Sequence, residues 1–307
     1  MKYLCFFACL ILGASCASGQ SCCAVSCCAS GSGYGGILPQ FHKHFAGIRY
    51  TQRSLKTTSL PSILHEIPDL TTEQQYQTME FFGRFYPVER VQVFAFLPFN
   101  RFSQTNNGET LLEEGLGDVT LLANYNLLDT GDSLSRDWKH NLLLGGGVKL
   151  PTGSFKPNIA DGDEYQPTLQ TGTGSLDFLA NLAYTLRFKQ WGIQADAGFR
   201  FNSTNQMDYR FGNRIQGGMR VFRQIGGDDF SILPNLGLQF EAAQKDRLGD
   251  ETRKFTGGRA GFVGAGVQVF VGNISFDASF QQPFFQSLSE GHSNLGGKFV
   301  CQAICLF

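Results

Sequence analysis

The chain has 307 residues and a net charge of −1, and its 17% of charged residues lies below the roughly 25% that soluble domains carry. Aromatic residues make up 13%, with 29 Phe, and Gly occurs 37 times. This balance excludes a basic nucleic-acid-binding surface and favours a sheet that meets lipid on one face.

Residues 1–19 have the pattern of a secretory signal peptide. Lys2 supplies the short positive start, 4–14 form an apolar core, and small residues at 17–19 form a cleavage site. The apolar core is too short to span a bilayer as a helix. We therefore predict a cleaved signal peptide. A lipoprotein with an acylated Cys16 is the alternative, although the Leu that such signals carry three residues earlier is absent.

Cysteines occur only near the two ends of the chain, and residues 29–300 contain none. The Cys/Gly-rich stretch 20–43 is expected to be a periplasmic N-terminal segment. Its spacing is not that of a standard zinc site, and an oxidising compartment favours disulfides, so we expect neither a metal nor another cofactor. Thiolates and imidazoles nevertheless suit soft metals, and the weak candidate ligands are Cys22, Cys23, Cys27, Cys28, His42 and His44.

From residue 44 onwards, segments of period-two hydrophobicity alternate with turns and polar loops. In 176–188, apolar and aromatic side chains share one face, whereas Asp177, Asn181 and Thr185 share the other. Such faces match the length that a tilted strand needs to cross a membrane. A soluble β-sandwich would use strands of about 5–6 residues. We therefore predict an all-β fold over 44–307, a transmembrane antiparallel up-and-down β-barrel of about twelve strands.

The predicted strands are 44–55, 75–86, 91–103, 116–128, 140–151, 174–188, 191–203, 210–223, 231–243, 257–271, 273–284 and 297–307.

The connections between predicted strands alternate in length, as in transmembrane barrels with short periplasmic turns and longer outer loops. An even number of strands is expected to return both termini of the chain to the periplasm. The final strand ends at Phe307, and a terminal aromatic resembles the signal by which outer-membrane barrels are recognised for insertion. The predicted short turns are 87–90, 189–190, 226–229 and 272–273. The predicted long loops are 56–74, 104–115, 152–173, 244–256 and 285–296. The connection 129–139 departs from this alternation, because it is long but lies on the side of the short turns.

Four stretches carry a family resemblance: GLGDVTLLANYNLL at 115–128, LLLGGGVKLPTGSF at 142–155, TGTGSLDFLANLAYTLR at 171–187 and RFGNR at 210–214. They resemble the "MetA-pathway of phenol degradation" barrels, especially transporter-type members from Bacteroidetes with similar Cys-rich starts. The resemblance covers nearly the whole chain from about residue 38. It implies an outer-membrane barrel of a Gram-negative bacterium and a role in moving small molecules.

Charged residues on the predicted polar faces are the candidate lumen-lining residues, and the basic ones outnumber the acidic ones. They suit either a pore that favours anionic or polar solutes, or a network that fixes strand register. The basic candidates are Arg49, Arg53, Arg84, Lys149, Arg187, Arg200, Arg210, Arg214, Arg220, Arg259 and Lys298. The acidic candidates are Glu80, Asp118, Asp177, Asp196, Glu241 and Asp277.

The sequence contains no recognisable enzyme motif. The stretch Gly291-His292-Ser293-Asn294 resembles a nucleophile elbow, but Leu295 stands where that motif needs Gly. We expect no catalytic residues and predict passive transport of small, aromatic or anionic, solutes. The alternative is a closed structural or partner-binding barrel with a redox or metal-binding Cys-rich tail. The expected partners are membrane lipid, a small solute and a periplasmic partner of the N-terminal segment, without nucleic acid.

Overall fold

The computed structural model describes residues 43–58, 71–106, 109–130, 137–155, 170–227 and 229–307. Within them, twelve long antiparallel strands pair in sequence order. The first strand also pairs with the last, from Phe45↔Leu306 to Arg53↔Lys298, so the sheet closes into a ring. The predicted transmembrane barrel of about twelve strands is confirmed. The predicted signal peptide lies outside the described residues.

The strands are β1 (Phe45–Thr58), β2 (Thr71–Val88), β3 (Val91–Asn106), β4 (Glu109–Leu116, continued by Thr120–Asp129), β5 (Trp138–Lys149), β6 (Asp177–Phe188), β7 (Trp191–Phe201), β8 (Arg214–Arg223), β9 (Phe230–Ala243), β10 (Gly258–Val271), β11 (Ile274–Leu288) and β12 (Ser293–Leu306). No helix in the described part of the chain has the length and apolar character to span a membrane.

The ring has a turn end and a loop end. Tight turns at 89–90, 189–190 and 272–273 lie at the turn end. The start of β1 and the end of β12 lie there too, because the backbone N–H of Phe307 donates to the carbonyl of His44 over 3.0 Å. Lys189 adopts the left-handed backbone conformation (φ 52°) that a two-residue hairpin turn requires.

Two of the predicted long loops are wrong. Residues 104–115 are mostly strand, because β3 continues to Asn106 and β4 begins at Glu109. Residues 285–296 are also mostly strand, since β11 reaches Leu288 and β12 begins at Ser293. Strands that project beyond the hydrocarbon into water can be polar on both faces, which removes the alternation that marks a strand in the sequence.

Inward and outward residues alternate along each strand as predicted. In β4, Leu122 and Asn124 are buried inside the barrel, whereas Leu121 and Tyr125 are exposed on its outer wall. The outer wall is apolar, and Trp138 stacks on Phe188 at the turn end with ring centroids 4.4 Å apart. Aromatic rings at this level are typical of the girdles that mark membrane interfaces.

The interruption of β4 at Gly117–Val119 lies opposite Pro98 of β3. Proline has no N–H to donate to the ladder, and the Gly117 N–H instead donates to the Pro98 carbonyl over 2.8 Å. A β-carbon on Gly117 would lie only 2.5 Å from Nδ2 of Asn100. A larger residue there would have to displace Asn100, and Asp118 beside the break is buried in the barrel interior.

The core of the protein is the lumen, which contains two apolar clusters. One belongs to strand positions towards the turn end and includes Phe45, Phe82 and Phe94. The other belongs to positions towards the loop end and includes Phe102 and Phe262. Charged and polar side chains occupy the inner faces between these positions. A twelve-stranded ring is narrow enough for side chains to fill much of its interior.

Candidate functional site

The structure places most of the predicted lumen-lining residues on the inner side of the barrel. The buried members are Arg49, Arg53, Glu80, Arg84, Asp118, Lys149, Asp177, Arg200, Glu241, Asp277 and Lys298. The half-buried members are Arg187, Asp196, Arg214 and Arg220. Together they contribute nine basic and six acidic groups.

Two predicted lumen residues lie elsewhere. Arg210 belongs to a two-residue strand that pairs with Arg247–Leu248 outside the barrel ring, because the chain leaves strand geometry at 211–213. The predicted strand 210–223 is therefore wrong for Arg210, since the ring strand begins at Arg214. Arg259 is exposed on the outer face of β10, and its guanidinium carbon lies 5.4 Å from the centre of the Phe285 ring.

An ion pair crosses the lumen between β1 and β9, which are not neighbours in the sheet. Both terminal nitrogens of Arg53 donate to the carboxylate of Glu241 over 3.2–3.3 Å. The Arg53 guanidinium also lies 4.9 Å from the centre of the Phe262 ring. Nζ of Lys298 lies 4.0 Å from the same carboxylate. This bridge crosses part of the lumen, since β1 and β9 are four strands apart in the ring.

A second ion pair lies nearer the turn end. Nη1 of Arg49 lies 3.3 Å from Oε2 of Glu80 on the neighbouring strand. Nε of Arg49 donates to Oε1 of Gln302 over 3.3 Å, and its guanidinium lies 4.7 Å from the centre of the Phe82 ring. Arg49 and Arg53 therefore each pack against an aromatic ring of one of the two apolar clusters.

The third ionic group, which we call the lysine triad, consists of Lys149, Asp118 and Asp177. Nζ of Lys149 lies 2.7 Å from Oδ2 of Asp118 and 2.8 Å from Oδ2 of Asp177, and all three side chains are buried. Oδ2 of Asp118 also accepts from the Thr173 N–H over 3.0 Å, and Oδ1 accepts from the Gly153 N–H over 2.9 Å. The triad therefore connects the β4 break with the residues that follow β5 and with those that precede β6.

Beyond the barrel strands, Asp246 organises a small sheet formed by Tyr209–Arg210, Arg247–Leu248 and Glu251–Thr252. Its carboxylate accepts from the Tyr209 hydroxyl over 2.5 Å and from the Gly212 N–H over 2.7 Å. Burial raises the pKa of Asp246, and these two hydrogen bonds oppose that shift without cancelling it.

Most of the predicted weak metal ligands, Cys22, Cys23, Cys27, Cys28 and His42, lie outside the described residues. His44 is described, and its Nδ1 accepts from the Tyr86 N–H over 3.2 Å. Within the described ranges, no group of three or more His, Cys, Asp and Glu side chains is arranged to hold a metal ion.

Uncharged amides also line the lumen, and the sequence prediction missed them. Gln92 and Asn124 face inward on one wall, while Gln239 and Gln302 face inward elsewhere. They lie on the same strand faces as the charged residues, and alternation in 176–188 had already placed Asn181 on such a face. The set of candidate lumen-lining residues, however, contained only charged side chains.

Comparison with known proteins identifies the family of this chain. The family model described as "Putative MetA-pathway of phenol degradation" matches residues 76–285. The chain belongs to this family. The resemblance found in the sequence is confirmed, and three of its four stretches contain the lysine triad and the loops it binds. The expected bacterial group stays a prediction.

A solved outer membrane channel shares the fold of this MetA-pathway family member. The COG4313 outer membrane channel from Pseudomonas putida F1 has a TM-score of 0.63 at 12% identity, covering 88% of this chain and 100% of that one. The beta domain of the Bordetella autotransporter BrkA has a TM-score of 0.49 at 15% identity, covering 87% and 100%. No curated protein matches the sequence.

Proposed function

We propose that this MetA-pathway family member is an outer-membrane channel for the passive passage of small solutes, and not an enzyme. The observation that carries the proposal is a closed membrane-spanning ring whose inner side carries nine basic and six acidic groups of the predicted set. Low-dielectric walls focus such an excess on passing ions. Anionic solutes should therefore pass more readily than cationic ones.

The family description supports small aromatic solutes as a second class of cargo, because it names a pathway of phenol degradation. The two apolar clusters of the lumen supply rings on which such molecules can pack. We also propose that the chain reaches the outer membrane of a Gram-negative bacterium through a cleaved signal peptide. Mass spectrometry of the protein from that membrane should then show Gln20 as the first residue.

A closed structural barrel that binds a periplasmic partner is the second candidate function. The bridge between Arg53 and Glu241 favours it, because this pair crosses part of the lumen. A channel must open this pair or pass solutes beside it.

Solute passage into liposomes separates the two functions. Purified, folded protein should accelerate the swelling of liposomes in small sugars and benzoate, relative to liposomes without protein. Heat-denatured protein in the same lipid is the matched control. Equal rates with folded and denatured protein, together with no conductance in planar bilayers, would reject the channel and leave the closed barrel.

A further inference from the structure

A cavity lies in the lumen wall between β7 and β11. Its inner lining includes Gln194 and Asp196 from β7, Arg220 from β8, Gln239 from β9, Phe262 from β10 and Gln281 from β11. It contains about 420 Å³ of space between atoms, part of it open to solvent, and about 30 Å³ is reachable by the centre of a water molecule. The cavity therefore suits a ligand of only a few heavy atoms.

Glycines on adjacent strands keep this cavity open. Gly218, Gly237 and Gly264 all line it, and Gly237 pairs directly with Gly264 across the sheet. A β-carbon on Gly264 would lie 2.8 Å from Cγ of Gln281. Side chains at these positions would occupy the space, since they would point inward beside the polar lining.

The polar lining presents acceptors that lack donors. One buried side-chain oxygen in each of four residues accepts no hydrogen bond within the part of the chain that the structure describes. Buried polar atoms in proteins almost always have a partner. The four atoms are Oε1 of Gln194, Oδ2 of Asp196, Oε1 of Gln239 and Oε1 of Gln281.

We infer that the cavity binds a small neutral polyol, whose hydroxyl groups donate to these four oxygens and whose carbon chain lies against Phe262. An anion has no protons to give to acceptor oxygens. The cavity also presents no excess of negative charge to hold a cation, because Arg220 and Asp196 both line it and offset each other. The inference rests on the proposed function only for the route by which the solute reaches the cavity.

Binding can be measured separately from passage. Saturation-transfer NMR on the folded protein in detergent should show glycerol bound, whereas propan-1-ol, with one donor, should bind at least several-fold more weakly. Gln281→Met and Gln194→Met keep the side-chain length but remove an acceptor. Each should weaken glycerol binding by about 2- to 10-fold, the effect of one lost hydrogen bond.

Gln92→Met is the matched control, because Gln92 is buried on the inner face of β3 and does not line the cavity. Glycerol binding should be unchanged in this variant. No binding of glycerol, which would mean that the cavity holds only water, or equal binding of glycerol and propan-1-ol, would overturn the inference. Binding of glycerol without liposome swelling would instead reject the channel and keep this site.

Discussion

Individual side chains occupy space inside the lumen, and the ion pair of Arg53 with Glu241 is the clearest example. Replacing both, as Arg53→Gln with Glu241→Gln, should raise single-channel conductance because the ion pair that crosses the lumen is lost. Either change alone removes the opposite charge closest to a buried ionic group and should cost up to about 3–5 kcal/mol of stability. Planar-bilayer recordings test the double variant.

An exposed ion pair provides the control for that experiment. Lys56 and Glu73 lie 3.2 Å apart on the outer surface, with side chains 58% and 66% exposed. Lys56→Gln with Glu73→Gln should leave conductance unchanged. If both double variants behave alike, the bridge does not restrict the passage.

The local stability of the small sheet around Asp246 should depend on pH, and the burial of Asp246 determines the direction of that dependence. Because its pKa is raised above 3.8 in the folded protein, the folded sheet keeps a proton at pH values where the unfolded chain has lost it. Local stability should therefore be greatest below the ordinary aspartate range and fall as pH rises through the raised pKa. Hydrogen-exchange protection of the Gly212 amide, corrected for the intrinsic rate, measures this.

Asp246→Asn is the control for the pH experiment, since an amide resembles the neutral acid and does not titrate. Protection of the Gly212 amide should then be independent of pH across the same window. Protection that increases with pH in the unmodified protein would contradict the assigned direction.

At the scale of strands, the lysine triad fixes the loop-end segments of the barrel. Lys149→Met would leave the buried carboxylates of Asp118 and Asp177 facing each other and should cost about 3–5 kcal/mol. Adding Asp118→Asn and Asp177→Asn should restore most of that loss. The thermal midpoint in detergent reports both effects, and Lys56→Met, at an exposed site, should not change it. A midpoint unchanged by Lys149→Met would contradict a structural role.

The two faces of β6 should respond differently to the same new charge. Leu182 points towards lipid and Thr185 towards the lumen, as strand alternation requires. Leu182→Arg should cost about 2–4 kcal/mol if it lies near the membrane midplane, whereas Thr185→Arg should be tolerated. The yield of heat-modifiable folded barrel compares the two variants. Equal yields would show that the assignment of faces is wrong.

The alternation that supports this experiment also explains what the sequence could predict. All twelve strands were predictable, because an apolar outer face repeats every second residue through the membrane. The strand ends at 104–106 and 286–287 were not, because polar side chains occupy both faces there. The β4 break was also missed, since Pro98 and Gly117 become opposed only when two strands pair.

At the scale of the whole barrel, ion selectivity should follow the balance of inner charges. Arg214 and Arg220 both face inward on β8. Arg214→Gln with Arg220→Gln should shift the reversal potential towards cations, and more strongly at low salt, where screening is weaker. Bilayer recordings at two salt concentrations measure the shift. Cation selectivity of the unmodified protein would contradict the proposed anion preference.

The partners inside the lumen could not be read from the sequence. Alternation assigns Arg53 and Glu241 to the inner side, but it does not tell which residues of distant strands meet across the ring. The same holds for the phenylalanines of the apolar clusters, which interrupt the otherwise polar inner faces. Contacts across a closed ring depend on its diameter and shear as well as on facing.

Pairing of β1 with β12 has a consequence for how the barrel assembles. We expect this pairing to form late in folding, because these strands are the most distant in sequence and closing the longest loop costs the most conformational entropy. Until then, both strands present unpaired edges that can recruit other chains. Before β1 pairs with β12, the open sheet can therefore aggregate through its edges. After this pairing, the sheet has no unpaired edge left.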